Sequence, residues 1–126
     1  MVKTIDFLLM LYYIASSLSI AENEPAAYTF VCGFTIDGIQ IDYGIPLYEA
    51  SWAGRSLTKD RYVLLYGMSE DATLEANAHE WFHTDRRRKE LFDWNNLSGE
   101  ERLAYEFAAN ESNWDRRILN HKCVVS

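Results

Sequence analysis

Cations and long apolar runs are scarce in this sequence, and each shortage excludes a class of function. The 126 residues carry 12 lysines and arginines against 19 aspartates and glutamates, for a net charge of −7. A chain with this excess of negative charge has no general electrostatic field that would hold nucleic-acid phosphates or an anionic membrane surface. After residue 21 no apolar run approaches the roughly 20 residues that a membrane-spanning helix needs, so we expect no membrane contact from the domain that follows.

Several catalytic signatures are also missing. The sequence contains neither the G-x-S-x-G pattern of a serine nucleophile elbow nor a glycine-rich phosphate loop. The histidines are few, namely His79, His83 and His121. Their spacing marks no acid–base pair of the kind that cleaves RNA. We therefore expect neither nucleophilic catalysis nor ribonuclease activity.

Only two cysteines are present, Cys32 and Cys123. Neither has a second cysteine close by in sequence, which argues against a cysteine metal site. In an oxidising compartment an even count favours a bridge. A bridge here closes a loop of roughly 90 residues, which the chain-entropy model equates with about 4–5 kcal/mol. We predict one disulfide between these two residues.

The amino-terminal residues have the layout of a secretory signal. Lys3 precedes an uncharged, mostly apolar run over residues 7–21, and this run ends in Ser19-Ile20-Ala21 before a polar segment. The run is too short to span a bilayer. We predict a cleaved signal over residues 1–21 and a single secreted domain over residues 22–126. Glycosylation patterns begin at Asn96 and Asn110, and whether they are used stays open.

The pattern of apolar residues in the mature chain favours one α+β domain. An Asp-Gly pair between apolar runs predicts a hairpin, and helical spacing of apolar residues predicts helices further on. The expected elements are two antiparallel strands over 28–41, a strand over 61–66, helical segments over 69–94 and 99–109, and a final strand over 116–125. Residues 43–56 fit neither pattern clearly.

One motif carries chemistry, the H-E-x-x-H pattern of His79-Glu80-Trp81-Phe82-His83. On a helix the two imidazoles share one face and can ligate zinc, while the glutamate can serve as general base for a bound water. A third ligand has to come from a downstream acid. The candidates are Glu100, Glu101, Glu106 and Glu111.

The surroundings of this motif argue against a metal. Arg86 and Lys89 stand where an extended motif would have a glycine and a third histidine, and four consecutive cations over residues 86–89 would oppose a divalent ion. This basic run is typical of a solvated helix end that pairs with nearby acids, or of a contact with an acidic partner or RNA. We therefore expect no cofactor and no enzymatic activity, and keep a small zinc hydrolase with His79 and His83 as ligands as the alternative.

Two segments carry a resemblance to a known family. Phe30-Val31-Cys32 resembles the aromatic-x-Cys motif of the ribonuclease-like secreted effector candidates of powdery mildew fungi, and the tail Asp115-Arg116-Arg117-Ile118-Leu119-Asn120 with Cys123-Val124-Val125 is similar to their last strand. The similarity covers residues 28–53 and 114–125. It implies a ribonuclease-like antiparallel sheet with a packed helix, and pairing of the early and late cysteines. It also implies delivery into plant cells, binding of host proteins or RNA, and recognition by intracellular immune receptors.

Most members of that group lack the residues that cleave RNA, so the resemblance assigns no catalytic residue here. It implies a virulence or avirulence protein that acts by binding, through the polar segments 54–60 and 84–90 that connect its elements. Interfaces favour arginine and aromatic anchors. The partner-contacting residues that we nominate are Arg55, Arg86, Arg87 and Trp94.

Overall fold

The computed structural model describes residues 28–47, 52–121 and 123. The predicted signal, residues 1–21, lies outside the described residues, as does the end of the predicted last strand. In the described ranges no helix combines the length and the apolar character needed to cross a membrane.

Four strands form one sheet, and two helices pack beside it. The strands are β1 (Tyr28–Ile36), β2 (Ile39–Pro46), β3 (Gly54–Thr58) and β4 (Arg61–Leu65), and the helices are α1 (Glu70–Arg88) and α2 (Leu97–Ala109). The strand order is β1-β2-β4-β3. The predicted α+β class is confirmed. The sheet is mixed rather than antiparallel throughout, because the chain passes from β2 to the edge strand β3 and returns inward, which sets β4 parallel to β2.

The predicted hairpin at the start of the domain is confirmed. Asp37 and Gly38 both have positive φ, 53° and 81°, as the tight turn between two twisted strands requires. β1 and β2 pair antiparallel from this turn outward. Inward-facing residues alternate along β2, where Ile39, Ile41 and Tyr43 are buried, so this strand presents one apolar face to α1.

The core lies between the sheet and α1. Tyr62 and Leu64 of β4 and Leu74 of α1 are completely buried. Buried hydroxyls in this layer are paired: the Tyr62 hydroxyl donates to Asn77 Oδ1 at 2.6 Å, and the Ser56 and Thr84 hydroxyl oxygens lie 2.9 Å apart. Burial of these large side chains supplies the main favourable term in folding.

Both helices begin at side-chain caps. Ser69 Oγ accepts from the Ala72 amide at the start of α1, and Asn96 Oδ1 accepts from the Gly99 amide at the start of α2, as N-cap residues do. The predicted helix over 99–109 is confirmed and begins two residues earlier. The helical segment expected to reach residue 94 ends at Arg88, because Glu90 adopts a positive φ of 59° that an α-helix does not allow.

The predicted final strand is wrong over the part that the structure describes. Short 3-10 helices span Glu111–Asn113 and Arg116–Asn120. The second begins because Asp115 Oδ1 accepts from the Arg117 amide, a local contact that competes with strand formation. The chain then reaches Cys123, which forms the predicted disulfide with Cys32 of β1, with Cα atoms 5.7 Å apart and 91 residues of separation.

Candidate metal centre

The two histidines of the motif lie side by side on the face of α1 that meets α2. A spacing of four residues brings them to one face of a helix, and their ring centroids are 4.9 Å apart. His79 is 1% exposed and His83 is fully buried. Both imidazoles therefore point into the interior between the helices rather than flank the core.

A carboxylate from α2 meets both rings. Glu101 Oε1 lies 2.8 Å from His79 Nε2, and Glu101 Oε2 lies 2.9 Å from His83 Nε2. One potential ligand atom from each of these three residues lies within 4.8 Å of the other two. We call these three side chains the His–His–Glu cluster. Three candidate ligands from two helices thus converge on one point.

The hydrogen bonding of the cluster is incomplete. His79 Nε2 and Glu101 share a hydrogen bond, but the contact between His83 Nε2 and Glu101 Oε2 does not have hydrogen-bond geometry. These two buried atoms make no hydrogen bond within the part of the chain that the structure describes. A buried polar atom without a partner costs about 1–3 kcal/mol. A cation between the three side chains would satisfy both atoms.

The electrostatics of the cluster favour the forms that bind metal. Burial alone would raise the pKa of Glu101, but its contacts with His79 and His83 outweigh that effect and lower the pKa to about 2. Burial lowers the pKa of His79, although the Glu101 contact acts in the opposite direction. An ionised carboxylate and a neutral imidazole are the states in which these groups ligate a metal.

The donor set fits zinc. Two imidazole nitrogens and one carboxylate oxygen are typical of catalytic zinc sites, which keep a fourth position for water, whereas structural sites use four cysteine or histidine ligands. Ligand atoms about 2.0–2.1 Å from a tetrahedral zinc lie about 3.3 Å from one another. The two observed His–Glu contacts of 2.8 and 2.9 Å would open by about half an ångström, and the ligand atoms of the three residues already lie within 4.8 Å of one another.

The motif glutamate is a neighbour of the cluster in sequence. Glu80 follows His79 directly in α1 and is completely buried. Burial raises the pKa of Tyr62 well above its usual value, and the nearby carboxylate of Glu80 raises it further. Glu80 is therefore a buried carboxylate near Tyr62 of β4, one residue in sequence from the candidate ligand His79.

Aromatic side chains cover the histidine side of the cluster. Phe92 packs edge-on against His83, with ring centroids 5.9 Å apart, and Trp94 packs on Phe92 at 4.5 Å. Across the cluster, Ala104 and Ala108 of α2 are buried. The small side chains let the helices approach closely, and the aromatic ones exclude water, which strengthens electrostatic interactions within the site.

The cations of the basic run beyond the motif have partners within the fold. Arg87 Nη1 donates to the Ser56 carbonyl oxygen at 3.0 Å, and its guanidinium lies over the Trp94 ring. Arg88 donates to the carbonyl oxygens of the Asp37–Gly38 turn. The remaining two cations form ion pairs, Arg86 with Glu100 and Lys89 with Asp85. The repulsion of a divalent ion that the sequence suggested is thus largely cancelled by specific partners.

The nominated partner-contacting residues differ in how far they are buried in the fold. Arg55 is 8% exposed and lies in β3, and Trp94 is 38% exposed. Arg86 and Arg87 belong to the last turn of α1. Segments that the sequence suggested as connections therefore lie largely in β3 and in the last turn of α1.

The third ligand was one of four acids that sequence reasoning left open. Glu106 and Glu111 are exposed, and Glu100 is paired with Arg86. Glu101 shares the i, i+3, i+7 face of α2 with Ala104 and Ala108, and this spacing is the sequence signal that could have singled it out. The remaining histidine, His121, does not join the cluster but stacks on Phe34 of β1, with ring centroids 4.3 Å apart.

Comparison with protein-family models, with curated proteins and with solved structures finds no match to this chain. The resemblance to the powdery mildew effector candidates therefore stays a prediction.

Proposed function

We propose that this protein is a small zinc-dependent hydrolase, with His79, His83 and Glu101 as the metal ligands and Glu80 as the general base. The observation that carries the proposal is the convergence of three buried ligand side chains from two helices on one point, with ligand atoms within 4.8 Å. The H-E-x-x-H motif on a helix is typical of enzymes that cleave peptide bonds, so peptides are the substrate class.

The chemistry assigned to each group follows from its type and place. Zinc supplies a Lewis acid and lowers the pKa of a bound water toward neutrality. The Glu80 carboxylate, one residue from His79, would serve as the general base for such a water. Glu101 would add a negatively charged ligand to the two imidazoles, so that the ion could be held without cysteine. The dry surroundings of the cluster strengthen each of these interactions.

The binding-effector hypothesis is a second proposal about the same chain and stays compatible with secretion. The disulfide between Cys32 and Cys123 suits an oxidising compartment. A secreted protein with an H-E-x-x-H site can reach a host cell and act there by catalysis instead of by binding alone. The cluster favours catalysis over binding alone, because it combines the ligand types of a catalytic zinc site with the motif glutamate.

Hydrolysis of quenched-fluorescent casein tests the proposal. The protein is stripped with a chelator and reloaded with one equivalent of zinc, and the variant Glu80→Gln is compared with the control Glu106→Gln, which changes an exposed acid of α2. Loss of a general base lowers rates by roughly 10²–10⁴-fold, so we expect Glu80→Gln to bind zinc and lose activity, and the control to keep it. Activity that survives in Glu80→Gln, or no hydrolysis by the zinc-loaded protein, contradicts the proposal.

A further inference from the structure

A second ion pair joins the two ligand-bearing helices directly beside the His–His–Glu cluster. Arg86 donates two parallel hydrogen bonds to Glu100, Nε to Oε1 at 2.7 Å and Nη2 to Oε2 at 2.8 Å. The Glu100 side chain is 3% exposed and that of Arg86 is 24% exposed. Such a two-point contact fixes orientation as well as distance.

The positions of this pair in sequence tie it to the ligands. Arg86 follows His83 by three residues in α1, and Glu100 directly precedes Glu101 in α2. Two neighbouring carboxylates in α2 could therefore compete for the histidines, since a rotation of α2 by one residue, about 100°, exchanges their places. Because Arg86 occupies both oxygens of Glu100, Glu101 is the carboxylate that meets the rings.

The same two side chains also hold the segment that connects the helices. Arg86 Nη2 donates to the Leu91 carbonyl oxygen at 2.9 Å, and Glu100 Oε2 accepts from the Asp93 amide at 2.9 Å. Phe92, which lies between these two anchor points, is the residue that covers His83. The ion pair thus fixes both the register of α2 and the aromatic cover of the cluster.

We propose that Arg86 and Glu100 are positioning residues for the metal centre: their ion pair selects Glu101 over Glu100 as the third ligand and so sets the affinity for zinc. This inference rests on the proposed metal site, but not on hydrolysis. Neither residue is a metal ligand, and each acts through the placement of Glu101.

Zinc affinity, measured by competition with a chromophoric chelator, tests the inference. Changes in groups that orient metal ligands typically lower metal affinity about 10–100-fold, so we expect that loss for Arg86→Ala and for Glu100→Gln. The matched control is Lys89→Ala, which removes an exposed cation three residues further on that pairs with the partly buried Asp85. The zinc affinity of Lys89→Ala should stay within about twofold of that of the wild-type protein, because an exposed ion pair contributes little.

A spectroscopic measurement separates positioning from general loss of structure. Cobalt substituted for zinc reports ligand number and type, and we expect the visible spectrum of Arg86→Ala to change while that of Lys89→Ala does not. If Arg86→Ala fails to fold, Arg86→Lys retains the charge without the two-point contact and should show an intermediate affinity. Unchanged affinity and spectrum in a folded Arg86 variant overturn the inference alone, whereas absence of zinc binding in the wild-type protein overturns the metal site itself.

Discussion

The two interfaces of α1 differ in what they bury. Where α1 meets the sheet, the buried layer is largely apolar, and its hydroxyls are paired, Tyr62 with Asn77 and Ser56 with Thr84. Where α1 meets α2, the buried layer holds the His–His–Glu cluster. Burying polar groups that lack hydrogen bonds lowers stability. The sheet side therefore contributes the apolar core, whereas the α1–α2 side holds the ionisable groups of the candidate metal site.

The largest expected effect is loss of zinc from the double variant His79→Ala/His83→Ala. Removal of two of three ligands should lower the zinc content of purified protein from one equivalent to none. The matched control is His121→Ala, which removes a histidine from the sheet side. Metal analysis of the folded proteins gives the answer, and equal zinc in both variants would show that the ion is held elsewhere.

Removal of the disulfide should give the largest change in stability. The bridge closes a loop of 91 residues, so Cys32→Ala/Cys123→Ala should lower the free energy of unfolding by about 4–5 kcal/mol in the chain-entropy model. Denaturant unfolding measures the loss. Because the bridge lies on the sheet side, any folded fraction should still bind one zinc, and loss of zinc binding by that fraction would contradict the division into two interfaces.

Zinc itself should stabilise the wild-type protein. A ligand that binds only the folded state adds about 2.7 kcal/mol at a free concentration of 100 times its dissociation constant. Thermal unfolding with and without zinc should show this gain, and Glu101→Gln should reduce it. A Tm that does not respond to zinc at saturating concentration would mean that the cluster takes up no ion.

A change on the sheet side should leave the metal centre unaffected. Tyr28 donates to the buried carboxylate of Asp42 at 2.7 Å, and burial together with Asp42 raises the pKa of Tyr28 to about 12. Tyr28→Phe should cost about 1–2 kcal/mol without changing zinc affinity, because effects at separate sites are nearly independent. Denaturant unfolding measures the loss of stability, and zinc competition on the same sample measures the zinc affinity. A change in zinc affinity along with the loss of stability would refute that independence.

Local signals in the sequence predicted much of the fold. The Asp37-Gly38 turn and the apolar faces act over a few residues, so the hairpin and both helices could be placed in advance. The parallel pairing of β2 with β4 depends on a crossover that no local pattern encodes. The tail was mistaken for a strand because the Asp115 cap, a contact of side chain with backbone, outweighs the β propensity of Ile118.

The candidate site was predictable in part. The spacing of His79 and His83 marked two candidate ligands of the alternative zinc site, and the sequence left the third candidate among four acids. The choice of Glu101 depends on the Arg86–Glu100 pair between helices. The same pair reduces the repulsion that the basic run would exert on a metal. The sequence alone could not show this, because it does not reveal which cations form ion pairs.

X-ray absorption at the zinc edge tests the central claim most directly, because it reports which atoms surround the ion in the zinc-loaded protein. We predict two imidazole nitrogens and oxygen ligands at about 2.0–2.2 Å, with no sulfur. Loss of the imidazole signal in His79→Ala/His83→Ala should accompany loss of the bound ion. A sulfur shell at about 2.3 Å, or a zinc surrounded by oxygen alone, would contradict the assignment of the His–His–Glu cluster as the metal centre.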